Sequence, residues 1–501
     1  MADIRKTLAR ALAALLLLPA AALAQPQSGI RTDAVVALTL EPPHLDPTAG
    51  AAAAIDEITY HNVFEGLTRI DETGAVVPGL AESWTVSDDG LVYSFTLRDG
   101  VQFHDGTMFD SADVEFSFER AMAEDSVNAQ KQYFDAIAEI ETPSPTEVVI
   151  TLAEPDGLFL FNMGQGDAVI VAPETAETNK TDPVGTGPFR FDRWLQGDRI
   201  VLAKADTYRD PDAIALDQVT FRIIADPPAQ IAALLAGDVD AVPNIGAPEA
   251  LGAFENDPRF AIDVGTTEGE TVMAVNWRRE PFDDPLVRQA IMHAIDRQAI
   301  VEGAQFGFGT PIGSHFAPHN PAYVDLTGLY PHDPDRAREL LAEAGYPDGF
   351  SATLKLPPPS YARRGGEIIQ AQLGRVGIEV TLEPIEWAQW LDQVFGNNDY
   401  DMTIVSHVEP MDIGIYARGL DYYFGYDNPA FTDLIDRLDA TTNEAERTAL
   451  YQEAQTILGE DLAAIFLFQL AKVGVHDADL LGMWKNTPVP AVDMTDVRWA
   501  E

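Results

Sequence analysis

Apolar and polar positions alternate along this chain with two periods, one near 2 and one near 3.6. In LVYSFTLRDGVQFHDG (91–106), Tyr93, Phe95 and Leu97 alternate with Ser94 and Thr96. That is strand periodicity, and Asp99-Gly100 has the chemistry of a tight turn, so a hairpin is predicted there. From Ser111 the period lengthens, and Val114, Phe118, Ala121 and Met122 fall on one helical face. Three later helices are predicted to open alike, with an aspartate cap followed by proline at the first helical position. They start at Asp226-Pro227, Asp284-Pro285 and Asp333-Pro334, with Gly237, Gly303 and Gly345 marking their ends. Their apolar stripes are Ile231/Leu234/Leu235, Leu286/Ala290/Ile291/Ala294/Ile295 and Leu340/Leu341/Ala344. Asn443 with Glu446 has the spacing of a capping box before Leu450, Ala454, Ile457 and Leu458. VVALTL, stopped by prolines, and the apolar runs TVMAVNW and AAIFLFQL read as strands, the last two as buried ones. Strands alternate with helices and no repeat recurs, so the class is α/β or mixed α+β, in two or three domains at this length.

The N-terminus changes the picture. Arg5, Lys6 and Arg10 precede ALAALLLLPAAALA, which ends in Ala22-Leu23-Ala24 before Gln25. This is the pattern of a secretory leader cleaved after Ala24, and its apolar run is too short for a comfortable membrane span. With 0 cysteines there is no disulfide, no thiolate site and no N-terminal cysteine to carry a lipid anchor. The expectation is a free periplasmic protein. Lys+Arg number 32 against 80 Asp+Glu, a net charge of -48 that becomes -50 once the leader's net +2 is removed. Such a surface repels nucleic acid and anionic lipid, which excludes both as partners. Most of the excess acid fits solubility in saline surroundings.

Catalytic patterns are missing: there is no G-x-S-x-G, no H-E-x-x-H, no P-loop and no calcium loop. GTGPF (185–189) carries proline where a phosphate-binding helix would start, so it reads as a tight lead-in to a strand. His293 falls in a predicted helix. His315, His319 and His332 lie in a Pro-rich loop at irregular spacing and read as surface residues rather than metal ligands. No metal, cofactor or catalytic residue is expected. The segment HVEPMDIGIYARGLDYYFGYDNP (407–429) is different. It sets Glu409, Asp412, Asp421 and Asp427 among Tyr416, Tyr422, Tyr423, Phe424 and Tyr426, without a steady period. Carboxylates beside ring faces suit a cation, whereas the alternative is a loop folded back with buried tyrosines and solvated acids.

Several blocks together resemble the family 5 extracellular solute-binding proteins, the dipeptide, oligopeptide and nickel class that serves ABC importers. The blocks are AESWTVSDDGLVYSFTLRDGVQFHDGTMFDSADVEFSFERA, VGTGPFRFDRW, FRIIADPPAQIAALLAGDVDAV, AVNWRREPFDDPLVRQAIMHAIDRQAIV and HDPDRARELLAEAGYPDG, in the family's order. The resemblance implies an α/β, two-lobed periplasmic-binding-protein fold (type II, class C) with a small α+β domain inserted in the first lobe. It divides the chain into lobe I (25–55, 182–270 and 472–501), the inserted domain (56–181) and lobe II (271–471). TVMAVNW and FLFQLAKVGV would cross between the lobes. In peptide-binding members an aspartate shortly after a strand like YDMTIVSH pairs with the ligand's α-ammonium. Carried over, this makes Asp412 the first choice and Glu409 the second, although the usual glycine-tryptophan spacing is absent and His407 stands where an aromatic is common. Trp387 resembles a pocket-wall aromatic, and Trp390 is the neighbour expected to pack in the core. Thr39 to Asp46, with Leu40 and Glu41, should line the cleft from the first lobe, and Tyr416, Tyr422 and Tyr423 should surround the bound charge. The implied function is capture of a short peptide or other amine-bearing solute by a monomer that delivers it to an ABC permease. A nickel or other metal chelate, an oligosaccharide, or a secreted hydrolase are the alternatives.

Overall fold

A computed structural model describes residues 30–50, 52–246 and 248–501; the leader lies outside the described residues. Strand β1 (Asp33–Leu38) enters first, and the small inserted region follows, built on β2 (Ala81–Val86), β3 (Val92–Leu97), β4 (Ile137–Ser144) and β5 (Glu147–Leu152). These four form their own antiparallel sheet in the order β2-β3-β5-β4. Tyr93, Phe95 and Leu97 point from it into a core closed by Val114, Phe118 and Ala121 of the helix Ser111–Met122. The alternation read from sequence therefore faces a real core. The hairpin predicted at Asp99-Gly100 does not form. β3 pairs with β2 and β5 instead, and beyond the turn only Gln102 and Met108 make an isolated bridge.

The chain then adds β6 (Phe189–Leu195), β7 (Arg199–Lys204), β8 (Gln218–Ile223), β9 (Ala241–Val242) and the long β10 (Phe260–Val275). β11 (Phe350–Leu356), β12 (Ile378–Pro384), β13 (Met402–His407) and the long β14 (Ile465–Asp477) follow. One continuous sheet runs β12-β11-β13-β10-β14-β9-β1-β8-β7-β6. β10 and β14 lie antiparallel at its centre, from Phe260 opposite Asp477 to Met273 opposite Ile465. They are long enough to serve both lobes. β1 with β8 and β9 builds one lobe, and β11, β12 and β13 build the other. Separate hydrophobic cores fill the two lobes, one around Val36, Phe189, Phe221 and Val497, another around Val287, Leu354, Ile369 and Ile404.

The aspartate-proline caps form as read. Asp226, Asp284 and Asp333 accept backbone N–H bonds at the starts of Pro227–Ala236, Pro285–Ala294 and Pro334–Glu343. Gly237 ends the first in the left-handed region. Gly303 ends nothing, contrary to expectation. The helix stops at Ala294, Asp296 caps a second one over Arg297–Gln305, and Gly303 lies inside it. Asn443 caps Glu444–Asp461. Among the described residues no helix is long and apolar enough to cross a membrane.

Candidate ligand-binding site

The site is assembled where β13 ends beside the middle of β10. Glu270 on β10 sits opposite both His407 on β13 and Gln469 on β14. After His407 the chain passes Pro410 and Met411, whose left-handed backbone (φ 60°) turns it into 3₁₀ turns that begin at Asp412. Proline restricts the backbone there, and the turn aims Asp412 back at the sheet. His315 Nε2 donates to Asp412 Oδ1 at 2.7 Å, and His315 Nδ1 lies 3.6 Å from Glu270 Oε1. His407 Nδ1 is 3.8 Å from Asp412 Oδ2, and its Nε2 is 2.8 Å from the Tyr423 hydroxyl. Burial, with the positive potential of His315 and Arg418, pushes the His407 imidazole down to about 4. Glu270 is fully enclosed. Burial first, then the charge of Asp412, hold its carboxyl well above the usual range, and Oε1 has no hydrogen-bond partner. Donor atoms of Glu270, His407 and Asp412 all lie within 4.8 Å of one another.

The acids continue outwards. Glu409 is exposed as a residue but its carboxyl end is partly enclosed, and that enclosure, followed by Asp412, raises its pKa. Its charge reaches Asp167 of the inserted region, whose carboxyl burial and Glu409 push up to about 7. Asp56 is also held well above the usual carboxylate range, by burial and then by Asp167, and an added Cβ at Gly166 would run into its Oδ1. Glu409 and Asp167, from distant segments of the chain, thus repel one another, as do Asp56 with Asp167 and Glu270 with Asp412. A positive charge placed among them relieves that repulsion.

The aromatic residues divide. Tyr416 and Tyr423 are enclosed in the core of their lobe, stacked on Phe424 at 4.8 and 4.2 Å between ring centres. Tyr416 also sets its ring against that of His315 at 5.4 Å, so it backs the site rather than lining it. Tyr422 is half-buried under the Arg418 guanidinium. Trp387 is 40 % exposed and, with Leu391 and Phe395, leaves an apolar face open. Trp390 packs behind it and donates to Thr403 Oγ1 at 3.0 Å. Asp412, His407 and Glu409 are therefore brought together by the fold, with Trp387 on an open face of the same lobe.

On the other lobe, Leu40 is exposed and lines a cavity of about 330 Å³ with Thr39, Glu57, Asn244, Thr267 and Lys472. Glu41 is not brought to the acids of the second lobe. Its Oε1 accepts from Trp194 Nε1 at 2.9 Å and from the Gly197 N–H at 2.7 Å.

Of the histidines read as surface residues, His315 is buried and His319 half-buried. His315 meets Asp412 and Glu270, and His319 Nε2 lies 2.6 Å from Glu268 Oε1; His332 alone of the three is exposed. Spacing along the chain could not show this, because the acids come from β10 and from beyond β13. Glu268, Glu270 and Lys472 escaped the sequence reading for the same reason. The one available signal was an acidic pair, Glu268 and Glu270, beside the apolar run predicted to cross between lobes.

Residues 75–412 match the family described as bacterial extracellular solute-binding proteins, family 5 (middle). The glutathione-binding protein GsiB of Escherichia coli K12 is 31% identical over 474 residues, covering 90% of this chain and 92% of its own. The periplasmic binding protein DppA of Helicobacter pylori, solved with the peptide STSA, is 28% identical with a TM-score of 0.71, covering 94% of this chain and 99% of its own. HbpA2 of Haemophilus parasuis shares the fold at 23% identity and a TM-score of 0.85, over 94% of this chain and 100% of its own.

Proposed function

The chain belongs to the family 5 bacterial extracellular solute-binding proteins of ABC importers, and from that premise we propose that it captures a short peptide or another amine-bearing small solute between its lobes. The observation that carries this reading is the set of carboxylates that couple to Asp412, Glu270 and Glu409, with Asp167 of the inserted region coupled in turn to Glu409. An ammonium stripped of water by lobe closure needs a compensating charge, and these residues supply it. Asp412 is the primary partner and Glu409 the outer one, with His407 and His315 fixing the geometry. Trp387 and Tyr422 offer ring surface to the solute's apolar parts, Tyr416 and Tyr423 support the site from behind, and Leu40 meets the solute from the opposite lobe. Glutathione and the peptide STSA, bound by the two relatives named above, are consistent with an amine-bearing class.

The lobes are divided as 25–55, 182–270 and 472–501 against 271–471, with 56–181 inserted. The protein is exported to the periplasm, cleaved after Ala24 and left without a lipid anchor. It acts as a monomer that hands its solute to permease subunits and catalyses nothing. Mass spectrometry of solute co-purified from the native periplasm tests the reading: a bound compound lacking an amine would sink it. A second reading rests on the convergent donors of Glu270, His407 and Asp412, which suit a divalent ion or its chelate. Metal analysis of gently purified protein discriminates, since stoichiometric metal lost on Asp412→Asn would favour that reading.

A further inference from the structure

The inserted region does not stand clear of the second lobe. Past β5 the chain reaches Gly157, which meets the turn between the helices Pro429–Asp439 and Glu444–Asp461. The Gly157 N–H donates to the Asp439 carbonyl at 2.6 Å, and the Arg447 guanidinium donates to the Gly157 carbonyl. The last carbonyls of a helix lack partners within it, so the first of these bonds satisfies an otherwise orphaned group of the second lobe. An added Cβ at Gly157 would meet the carbonyl oxygens of Leu438 and Thr441 at 2.8 Å and that of Asp439 at 3.2 Å. Those are backbone atoms and cannot swing aside, so the approach is fitted to glycine. Leu158 packs against the core of the second lobe, and Gly90, in the turn between β2 and β3, lies against Thr442. Enclosure of its carboxyl, and then Asp156 across the contact, push Asp439 up to about 6, while the charge of Arg447 acts on Asp156 in the opposite sense.

We infer that the Gly157 contact is a second pivot of the molecule, kept in both the empty and the loaded protein. This rests on the two-lobed binding reading, whatever the solute. β10 and β14 tie the lobes at one place, and Gly157 with Arg447 ties them at another. Met411, four residues beyond β13, packs on the cores of both lobes and belongs to the first tie. A rigid body held at two places turns only about the line that joins them. Capture is then a rotation of the second lobe about the axis through the crossing strands and Gly157. The cleft opens along the edge away from Gly157, and the lobes neither slide nor twist past one another. Arg447 is a positioning residue in this scheme: it holds the axis.

The chain has 0 cysteines, so spin labels go in cleanly as paired substitutions on the mature protein. Asp88→Cys with Glu444→Cys, both exposed, straddles the contact. Gln196→Cys, in the turn after β6, with Glu379→Cys on β12 labels the two ends of the main sheet. Electron–electron double resonance is read on protein stripped of solute by unfolding in urea and refolding. The first pair should give one distance. Glutathione or tri-alanine should move the second pair and leave the first where it was. Gly157→Val should lower the ratio of intact to broken contact by about tenfold or more, the scale of two lost hydrogen bonds. Arg447→Met should also add a longer distance across the contact, and Arg447→Lys should stay nearer the wild type. A second, longer distance across the contact in the solute-free wild type overturns the inference, and that reading needs no variant to fold. So does a first pair that shifts as far as the second on loading, or one that Gly157→Val and Arg447→Met both leave unchanged. If neither compound moves either pair, the amine-bearing solute is in error, and the solute-free distances still decide the pivot.

Discussion

Replacing Asp412 by Asn removes one charge from the cleft and almost nothing else. The amide oxygen can still accept from His315 Nε2, now 2.7 Å from Asp412 Oδ1, so the local turn should hold and stability should change by no more than about 1 kcal/mol. The cost to a cationic solute is larger. A carboxylate and an ammonium ~3 Å apart attract by about 5 kcal/mol at an effective dielectric of ~20. Desolvation takes back part, and truncations of buried pairs fall at ~2–5 kcal/mol. Glu270 decides where in that range the variant lies. Its ionisation is held back by burial and by the charge of Asp412, so removing that charge lets Glu270 ionise more readily and stand in. The single variant should lose ~2–3 kcal/mol, roughly 30- to 150-fold in affinity. Adding Glu270→Gln removes the substitute, and the double variant should lose ~4–5 kcal/mol, on the order of a thousandfold or more. Glu409→Gln, at an exposed position, should cost under ~1 kcal/mol. Calorimetric titration with the solute identified from the periplasm measures all four proteins. Affinity within threefold of wild type for both the single and double variants would refute the reasoning, and a larger loss for Glu409→Gln than for Asp412→Asn would move the primary partner outwards.

Asp167, pushed up to about 7 by burial and by Glu409, is half protonated near neutrality and must ionise to pair with an ammonium. Binding should therefore release protons and weaken as pH falls below about 7, by up to ~tenfold per unit for one group; heats measured in two buffers of different ionisation enthalpy would show no proton release if this is mistaken. Asp493 is enclosed with His61 Nδ1 at 3.2 Å and with Arg69, which holds its carboxyl well below the usual range. A depressed folded pKa gives stability that is present above the ordinary carboxylate range and is lost as pH falls through the folded value. Asp493→Asn should cost ~3 kcal/mol or more in urea unfolding at pH 7, and a loss under ~1 kcal/mol would show the pair to be idle. Solution scattering should give a smaller radius of gyration with solute than without, since contacts to both lobes favour the closed form; an unchanged radius with tight binding would count against closure.

What the sequence made legible was local. The caps at Asp226, Asp284 and Asp333 act over four residues, so type and spacing suffice. Gly303 misled because the stripe from Leu286 to Ile295 points on towards it, while Asp296 offers the Ala299 N–H a better cap than a continued helix would. Asp99-Gly100 turned the chain as expected, yet β3 had stronger partners in β2 and β5, and pairing over such separations leaves no local trace. The Tyr-rich segment held both readings at once: Tyr416, Tyr423, Phe424 and Tyr426 fill the core, while Asp412 and Glu409, a few residues earlier, point to the acids of the cleft.

The acids of the cleft were hidden by their number. Against 80 Asp and Glu, no carboxylate stands out by type, and only desolvation separates those that matter from those in water. Asp56, Asp167, Glu270 and Glu409 come from four separate segments, and each is raised first by burial and then by another acid. That arrangement is costly to the empty protein. Moving the lobes together without a solute would drive Glu409 towards Asp167 and strip water from both, which opposes closure. A bound ammonium reverses the sign, because each approaching carboxylate then meets a positive charge. A solute can shift the balance between open and closed only by as much as it prefers one of them, and here the preference grows from repulsion already present in the empty cleft. On the proposed reading, the same charges that select a cationic solute also keep an unloaded receptor from adopting the closed shape.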